Sequence, residues 1–220
     1  MGLRLLLDCA APELWQHWWP TGLFRGITTN PTLLRRAALP CDLPTLTRLC
    51  DQALSLGAEE LHLQAWGEDA ASLEARGRTL AALAPGRILV KLPVTPEGVR
   101  AARPLLQEGI PVTFTACYEP RQVLVAAALG ARYIAPYLGR IGDQGRDGLA
   151  TLQAMQQALA GVGSPTRLLV ASLRDPEEIT RLAAVGCDTF TLGPAIAEAL
   201  LASTATAEAA EQFERDAAAP

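Results

Sequence analysis

A chain of 220 residues, half of them apolar and only 19% charged, is long enough to bury roughly 70% of its unfolded surface in one domain. A net charge of −4 gives no basic footprint, which argues against nucleic acid as a partner, and the apolar runs fall far short of the ~20 residues that cross a bilayer, so no membrane partner is expected. The opening MGLRLLLDCA holds a short apolar run ending at Asp8 with no polar spacer or small-residue cleavage site, so a cytoplasmic location is expected.

In chain order, β-rich apolar runs recur at 3–8, 26–30, 61–65, 87–93, 111–116, 133–137, 167–172 and 189–192, which predicts eight strands. The segments between them carry helical spacing, as with Leu46, Leu49, Cys50 and Leu54, or Leu152, Met155 and Leu159. Thr95-Pro96-Glu97 supplies a cap and an N1 proline, and Gly109, Gly130 and Gly186 follow helices just ahead of strands. Pro104, inside a helical pattern, is expected to kink or shorten its helix. Eight βα units in this length fit a single (β/α)₈ TIM barrel domain over 1–220, with a doubly wound open sheet as the alternative. The Ala-rich tail reads as one long helix over about 194–217, either solvated or packed on a neighbouring subunit through Phe213.

Five scattered cysteines, Cys9, Cys41, Cys50, Cys117 and Cys187, form no CxxC pair, against a disulfide framework or a zinc site. His17 and His62 are too few for a metal cluster. His17 belongs to an amphipathic segment with Trp15, Trp18 and Trp19 and is expected at the surface, while His62 shares strand parity with Gln64 and reads as a core histidine below it. No GxGxxG, GxxxxGK[ST] or GxSxG motif is present, so neither cofactor nor metal is expected.

The basic residues are the most informative part of the composition, because 18 of the 19 are Arg and the only Lys is Lys91, set inside an apolar run. Burial disfavours an ammonium and lowers its pKa, and a neutral amine is what attack on a carbonyl requires. A purely structural ion pair would be served better by Arg. Asp8, Thr28 with Asn30, Gln64, Lys91, Thr115, Tyr137 and Ser172 each lie near the C-terminal end of a different predicted strand, where barrel active sites are built. Arg140, just after the sixth strand, and Ser172 could hold a phosphate, unless Arg140 is spent on an ion pair such as with Asp143.

LLLDC around Asp8, GITTNPTLL (26–34), ILVKLPVTPEG (88–98), YIAPYLGRIGDQG (133–145) and LLVASLRDP (168–176) together resemble the transaldolase superfamily, and within it the short fructose-6-phosphate aldolase branch, over essentially the whole chain. The resemblance implies a barrel in which Lys91 forms a Schiff base with the C2 ketone of a sugar, as in a class I aldolase. It also implies that Asp8, Thr28 and Asn30 position donor hydroxyls, that Arg140 and Ser172 receive a sugar phosphate, and that subunits assemble as rings of five, sometimes stacked into ten. Enzymes called transaldolase usually place Glu at the position of Gln64 and Phe at that of Tyr137, so Gln64 and Tyr137 resemble the aldolase branch. There, Gln64 with Thr115 would orient a water and Tyr137 would supply the acid/base function. His62 and Trp66 depart from the aldolase pattern, which bears on substrate preference. The competing readings are a transaldolase that passes dihydroxyacetone between sugar phosphates, a noncatalytic phosphosugar-binding barrel, and a phosphosugar isomerase or epimerase working through carboxylates or a metal.

Overall fold

The computed structural model describes residues 2–219. Its elements are β1 (Arg4–Asp8), α1 (Pro12–Trp18), β2 (Phe24–Thr28), α2 (Pro31–Arg36), α3 (Leu43–Ser55), β3 (Glu60–Gln64), α4 (Ala70–Ala81), β4 (Ile88–Pro93), α5 (Pro96–Gln107), β5 (Val112–Cys117) and α6 (Gln122–Leu129). There follow β6 (Tyr133–Pro136), α7 (Leu138–Asp143), α8 (Gly148–Gly161), β7 (Arg167–Val170), α9 (Glu177–Ala184), β8 (Thr189–Leu192), α10 (Pro194–Leu201) and α11 (Thr204–Ala217). The eight strands pair in parallel, in sequence order, and β8 closes on β1. This is the (β/α)₈ barrel predicted above, and the open-sheet alternative falls.

Strand parity divides the core in two. Leu5, Leu7, Ile27, Leu61, Leu63, Val90, Val112, Phe114, Val170 and Phe190 face outward and pack with the helices into one large cluster. The opposite parity fills the barrel: Leu6, Leu89, Tyr133, Ala135 and Leu169 form a separate small cluster inside it. Each fully buried aliphatic side chain of these sets contributes roughly 1.5–3 kcal/mol.

The helix signals act as expected. Asp42, Asp69, Thr95 and Asp147 cap α3, α4, α5 and α8 by accepting from the backbone N–H three residues on. Gly109, Gly130 and Gly186 take the left-handed conformation after α5, α6 and α9. His17 is exposed, while Trp15 and Trp18 are buried on the other face of α1. Pro104 neither ends nor breaks α5, which runs on to Gln107. A Cβ at Gly98, in the first turn of α5, would lie 1.9 Å from the Pro93 carbonyl oxygen, so only glycine lets the helix start this close to β4.

The tail differs from the single helix expected over 194–217. The chain turns extended at Ala202, and Ser203 starts a new helix by accepting from the Thr206 N–H, so α10 and α11 are separate. Only Ala197 of α10 is buried, α11 buries nothing, and Phe213 stands 70% exposed.

At the N-terminal face of the barrel, buried Glu60 accepts from the Tyr133 hydroxyl at 3.0 and 3.1 Å, and that hydroxyl accepts from Arg4 at 2.7 Å. Arg132 and Arg25 lie 3.6 and 3.8 Å from its carboxylate. Glu60→Ala leaves the Tyr133 hydroxyl without an acceptor, and the expected loss is about 1–3 kcal/mol of unfolding free energy in a denaturant titration. A loss within ±0.5 kcal/mol would mean that the network does not stabilise the barrel.

Candidate active site

The site lies at the C-terminal mouth of the barrel, in a cavity of about 350 Å³ whose lining includes Asp8, Thr28, Asn30, Lys91, Tyr137, Arg140 and Ser172. Seven of the nine residues predicted from sequence therefore meet around one cavity. Gln64 and Thr115 are not among its lining residues, but each is bonded to one that is.

Lys91 rises from the middle of β4 and is only 5% exposed. Its Nζ donates to the Thr29 carbonyl at 2.8 Å. That carbonyl is free because β2 ends at Thr28, two residues sooner than the sequence pattern suggests. Pro31 opens α2 and holds Asn30 extended, and of the Thr29 backbone only the N–H still bonds to β3, donating to the His62 carbonyl at 3.1 Å. Loss of water by burial pushes the Lys91 pKa down, and the charge of Asp8 opposes this. The Asp8 carboxyl moves the other way: burial raises it, while Lys91, a hydrogen bond from Thr28, Arg140 and Arg36 hold it back. Both groups are thus drawn toward their neutral forms, the state in which an amine attacks and a carboxyl donates a proton.

A chain of hydroxyls fixes Asp8. Thr28 Oγ1 donates to Asp8 Oδ1 at 2.6 Å and lies 2.6 Å from Thr191 Oγ1. When Asp8 is ionised, Thr28 gives it its one proton and accepts from Thr191. Asn30 lines the cavity while its Oδ1 caps α2 by accepting from the Leu33 N–H at 3.0 Å, so the amide nitrogen is the end left for a ligand.

On the other side, Gln64 Nε2 donates to the carbonyls of Lys91 at 3.1 Å and Ala65 at 3.2 Å. Both contacts are acceptors, so they fix the amide orientation and leave Oε1 as an acceptor only. The Thr115 and Tyr137 hydroxyl oxygens are 2.5 Å apart. If Thr115 donates, the phenolic proton is free for a substrate. The Tyr137 ring carries the Arg140 guanidinium 4.7 Å from its centroid.

Arg140 and Ser172 are brought together by glycine. The Gly139 N–H donates to the Ser172 carbonyl at 2.9 Å, and a Cβ there would meet that oxygen and Arg174 Nε, each at 2.6 Å. Ser172 itself is left-handed, with φ of 62°, a conformation that a non-glycine residue keeps only where its surroundings impose it. Asp143 pairs with Arg174, so the alternative of an Arg140–Asp143 ion pair is not realised. Arg36, Arg174 and Thr191 also line the cavity and were not singled out from sequence. Thr191 could have been found by parity, as the inward residue of β8 nearest the mouth. Arg36 and Arg174 sit beyond their strands on a helix and a loop, where periodicity is silent.

His62 points into the barrel as expected but is only half satisfied. Its Nδ1 pairs with Thr113 Oγ1 at 3.0 Å, and Nε2 has no partner. Burial holds its pKa well below the usual histidine value, with the charges of Lys91 and Arg132 acting in the same direction. Trp66 lies outside the cavity, stacked by Arg76 at 4.1 Å. All five cysteines are free, four of them buried. Among the described residues no helix is long and apolar enough to cross a membrane, and no cluster of three or more His, Cys, Asp or Glu could hold a metal.

Residues 5–219 match the family described as Transaldolase/Fructose-6-phosphate aldolase. A "Probable transaldolase" of Caulobacter sp. (strain K31) is 34% identical over 214 residues, covering 97% of this chain and 96% of that one. Another of the same name, from Hyphomonas neptunium (strain ATCC 15444), is 35% identical over 197 residues, covering 90% and 88%. Among solved structures, a thiamine phosphate pyrophosphorylase from Pyrococcus furiosus superposes with a TM-score of 0.60 at 13% identity, covering 87% of this chain and 85% of that one. A flavocytochrome b2 variant with sulfite bound gives 0.62 at 11%, covering 88% of this chain and 56% of that longer one. These two likenesses speak for the barrel alone, whereas the sequence match spans the barrel and its mouth: the chain belongs to the transaldolase/fructose-6-phosphate aldolase family.

Proposed function

We propose that the protein is a class I aldolase that cleaves fructose 6-phosphate reversibly to dihydroxyacetone and glyceraldehyde 3-phosphate through a Schiff base on Lys91. The observation that carries this reading is the only lysine of the chain, buried in the cavity lining with its pKa lowered. Its amine adds to the C2 carbonyl, and loss of water gives the iminium. The C4 hydroxyl then gives up its proton, the C3–C4 electrons pass into the iminium, and glyceraldehyde 3-phosphate leaves. Protonation of the enamine at C3 and hydrolysis release dihydroxyacetone. The iminium takes up the electrons, so this chemistry asks for neither cofactor nor metal.

In this scheme Asp8, Thr28 and Asn30 hold donor hydroxyls and Tyr137 moves the protons, with Thr115 donating to it and Gln64 orienting a water. Arg140 and Ser172 take the phosphate, and Arg174 joins them from the same wall. Arg140→Ala is expected to raise KM for phosphorylated substrates by the equivalent of about 1.5–3 kcal/mol, with little change for unphosphorylated ones in parallel steady-state assays. Equal effects on the two classes would remove Arg140 from the phosphate site. A homo-oligomer, as a pentamer or decamer, belongs to the same reading, with exposed Phe213 on α11 offered to a neighbouring subunit.

The second reading is transfer of the dihydroxyacetone unit to another sugar phosphate, which the names of the curated relatives favour. Gln64 and Tyr137 weigh against it, since an amide with both hydrogens spent on carbonyls cannot shuttle a proton. Assaying free dihydroxyacetone against transfer to erythrose 4-phosphate tests the choice. Faster transfer than release would select the transaldolase reading.

A further inference from the structure

Tyr137 opens a segment that returns to the loop following the strand of its hydrogen-bond partner Thr115. The chain leaves Tyr137 through α7 and turns at the left-handed Gly145 to reach Arg146. Arg146 then reaches back to the loop after β5. Its Nη1 donates to the Tyr118 carbonyl at 3.0 Å and to Glu119 Oε1 at 2.8 Å, and its Nη2 to Glu119 Oε2 at 3.4 Å. The same loop is tightened from within, where Gln122 Oε1 accepts from the N–H groups of Tyr118 and Glu119, both at 2.9 Å. The Tyr118 ring meets the Tyr137 ring edge-on, with centroids 5.6 Å apart. Between Thr115 and Tyr118, Ala116 is left-handed with φ of 56°, where the β5–β6 register shifts. This break in alternation lets Thr115 bond the Tyr137 hydroxyl while Tyr118 reaches its ring.

We propose that Tyr118, Glu119 and Arg146 are positioning residues that hold the Tyr137 hydroxyl in the geometry for proton transfer during aldol cleavage. The inference rests on the reading above in which Tyr137 is the acid/base. The Arg146–Glu119 pair is about a third exposed on each side, and such a pair adds little to stability. Its effect is therefore expected in the rate and not in the fold. Small displacements of a reacting group cost rate steeply, and here they would cost only the steps that Tyr137 serves.

The test measures kcat, KM and the rate of borohydride trapping for full-length Arg146→Ala and Glu119→Gln, each alone and combined with Tyr137→Phe. The expected result is a fall in kcat of about tenfold for each single variant, with KM and trapping within twofold of the unmodified protein. Arg146→Lys, which keeps a charge and a donor, recovers part of the loss. In the Tyr137→Phe background the same substitutions change kcat by less than twofold, because the group they position is gone. Unchanged kcat in both single variants, equal losses in both backgrounds, or trapping that falls in step with kcat would each overturn the proposal. Absence of trapping in the unmodified protein would overturn the Schiff base reading and this inference together. Trapping with unaffected variants overturns this inference alone.

Discussion

Replacing Lys91 with Met or Arg is expected to abolish turnover and reductive trapping while the barrel stays folded. The two replacements fail for different chemical reasons. Met fills the same volume without a nitrogen, and Arg keeps a charge that no accessible pH removes, so neither supplies the neutral primary amine that adds to a ketone. No other lysine in the chain could take over. The fold is expected to survive Met in particular, since a buried ammonium costs stability unless it is paired and an apolar chain of similar size does not. The pH dependence follows from the direction of the shift. Burial lowers the Lys91 pKa, so the free-amine fraction rises with pH through that lowered value and levels off below the ~10.4 of an exposed lysine. Trapping rates measured against pH should show that plateau. Trapping retained in either variant would end the Schiff base account.

Tyr137→Phe is expected to lower aldol cleavage by the ~10²–10⁴ that follows loss of a general acid/base, while trapping at Lys91 persists. Phe keeps the ring that Arg140 covers and Tyr118 abuts, so the loss isolates the hydroxyl bonded to Thr115. Gln64 is held by the backbone carbonyls of Lys91 and Ala65, and its amide cannot exchange a proton. Adding Gln64→Glu in the Tyr137→Phe background introduces a carboxylate there and should raise transfer to erythrose 4-phosphate relative to release of dihydroxyacetone. A double variant inactive in transfer would show that these two positions do not divide the two activities.

The barrel was legible because its two periodicities are clean. Outward residues such as Leu61, Leu63, Val90 and Leu92 are apolar, and glycines and caps mark the element ends. Boundaries slipped where a turn competes with alternation: the strand expected over 26–30 yields to Pro31, and Tyr137 and Ser172 fall just past β6 and β7. The tail was misread as one helix because alanine favours helix throughout, and the Ser203 cap that divides it lies inside an otherwise uniform run. In the site, residues on strands were found by parity and by polarity in an apolar context. Arg36 depends on where α2 lies, and Arg174 and Tyr118 on how the loops after β7 and β5 fold. The Arg146–Glu119 pair joins residues 27 apart in sequence, a distance over which no local pattern gives a clue. That His62 lacks a partner for Nε2 is likewise a property of packing, set by what surrounds the ring and not by its place in the strand.

The central claim, covalent catalysis by Lys91, is tested most directly by borohydride reduction in the presence of fructose 6-phosphate, read by intact mass and peptide mapping. One adduct of the mass of the reduced dihydroxyacetone or fructose 6-phosphate imine, on the peptide containing Lys91, is the predicted result. Full turnover with no adduct, or an adduct at the N-terminal amine alone, would contradict it.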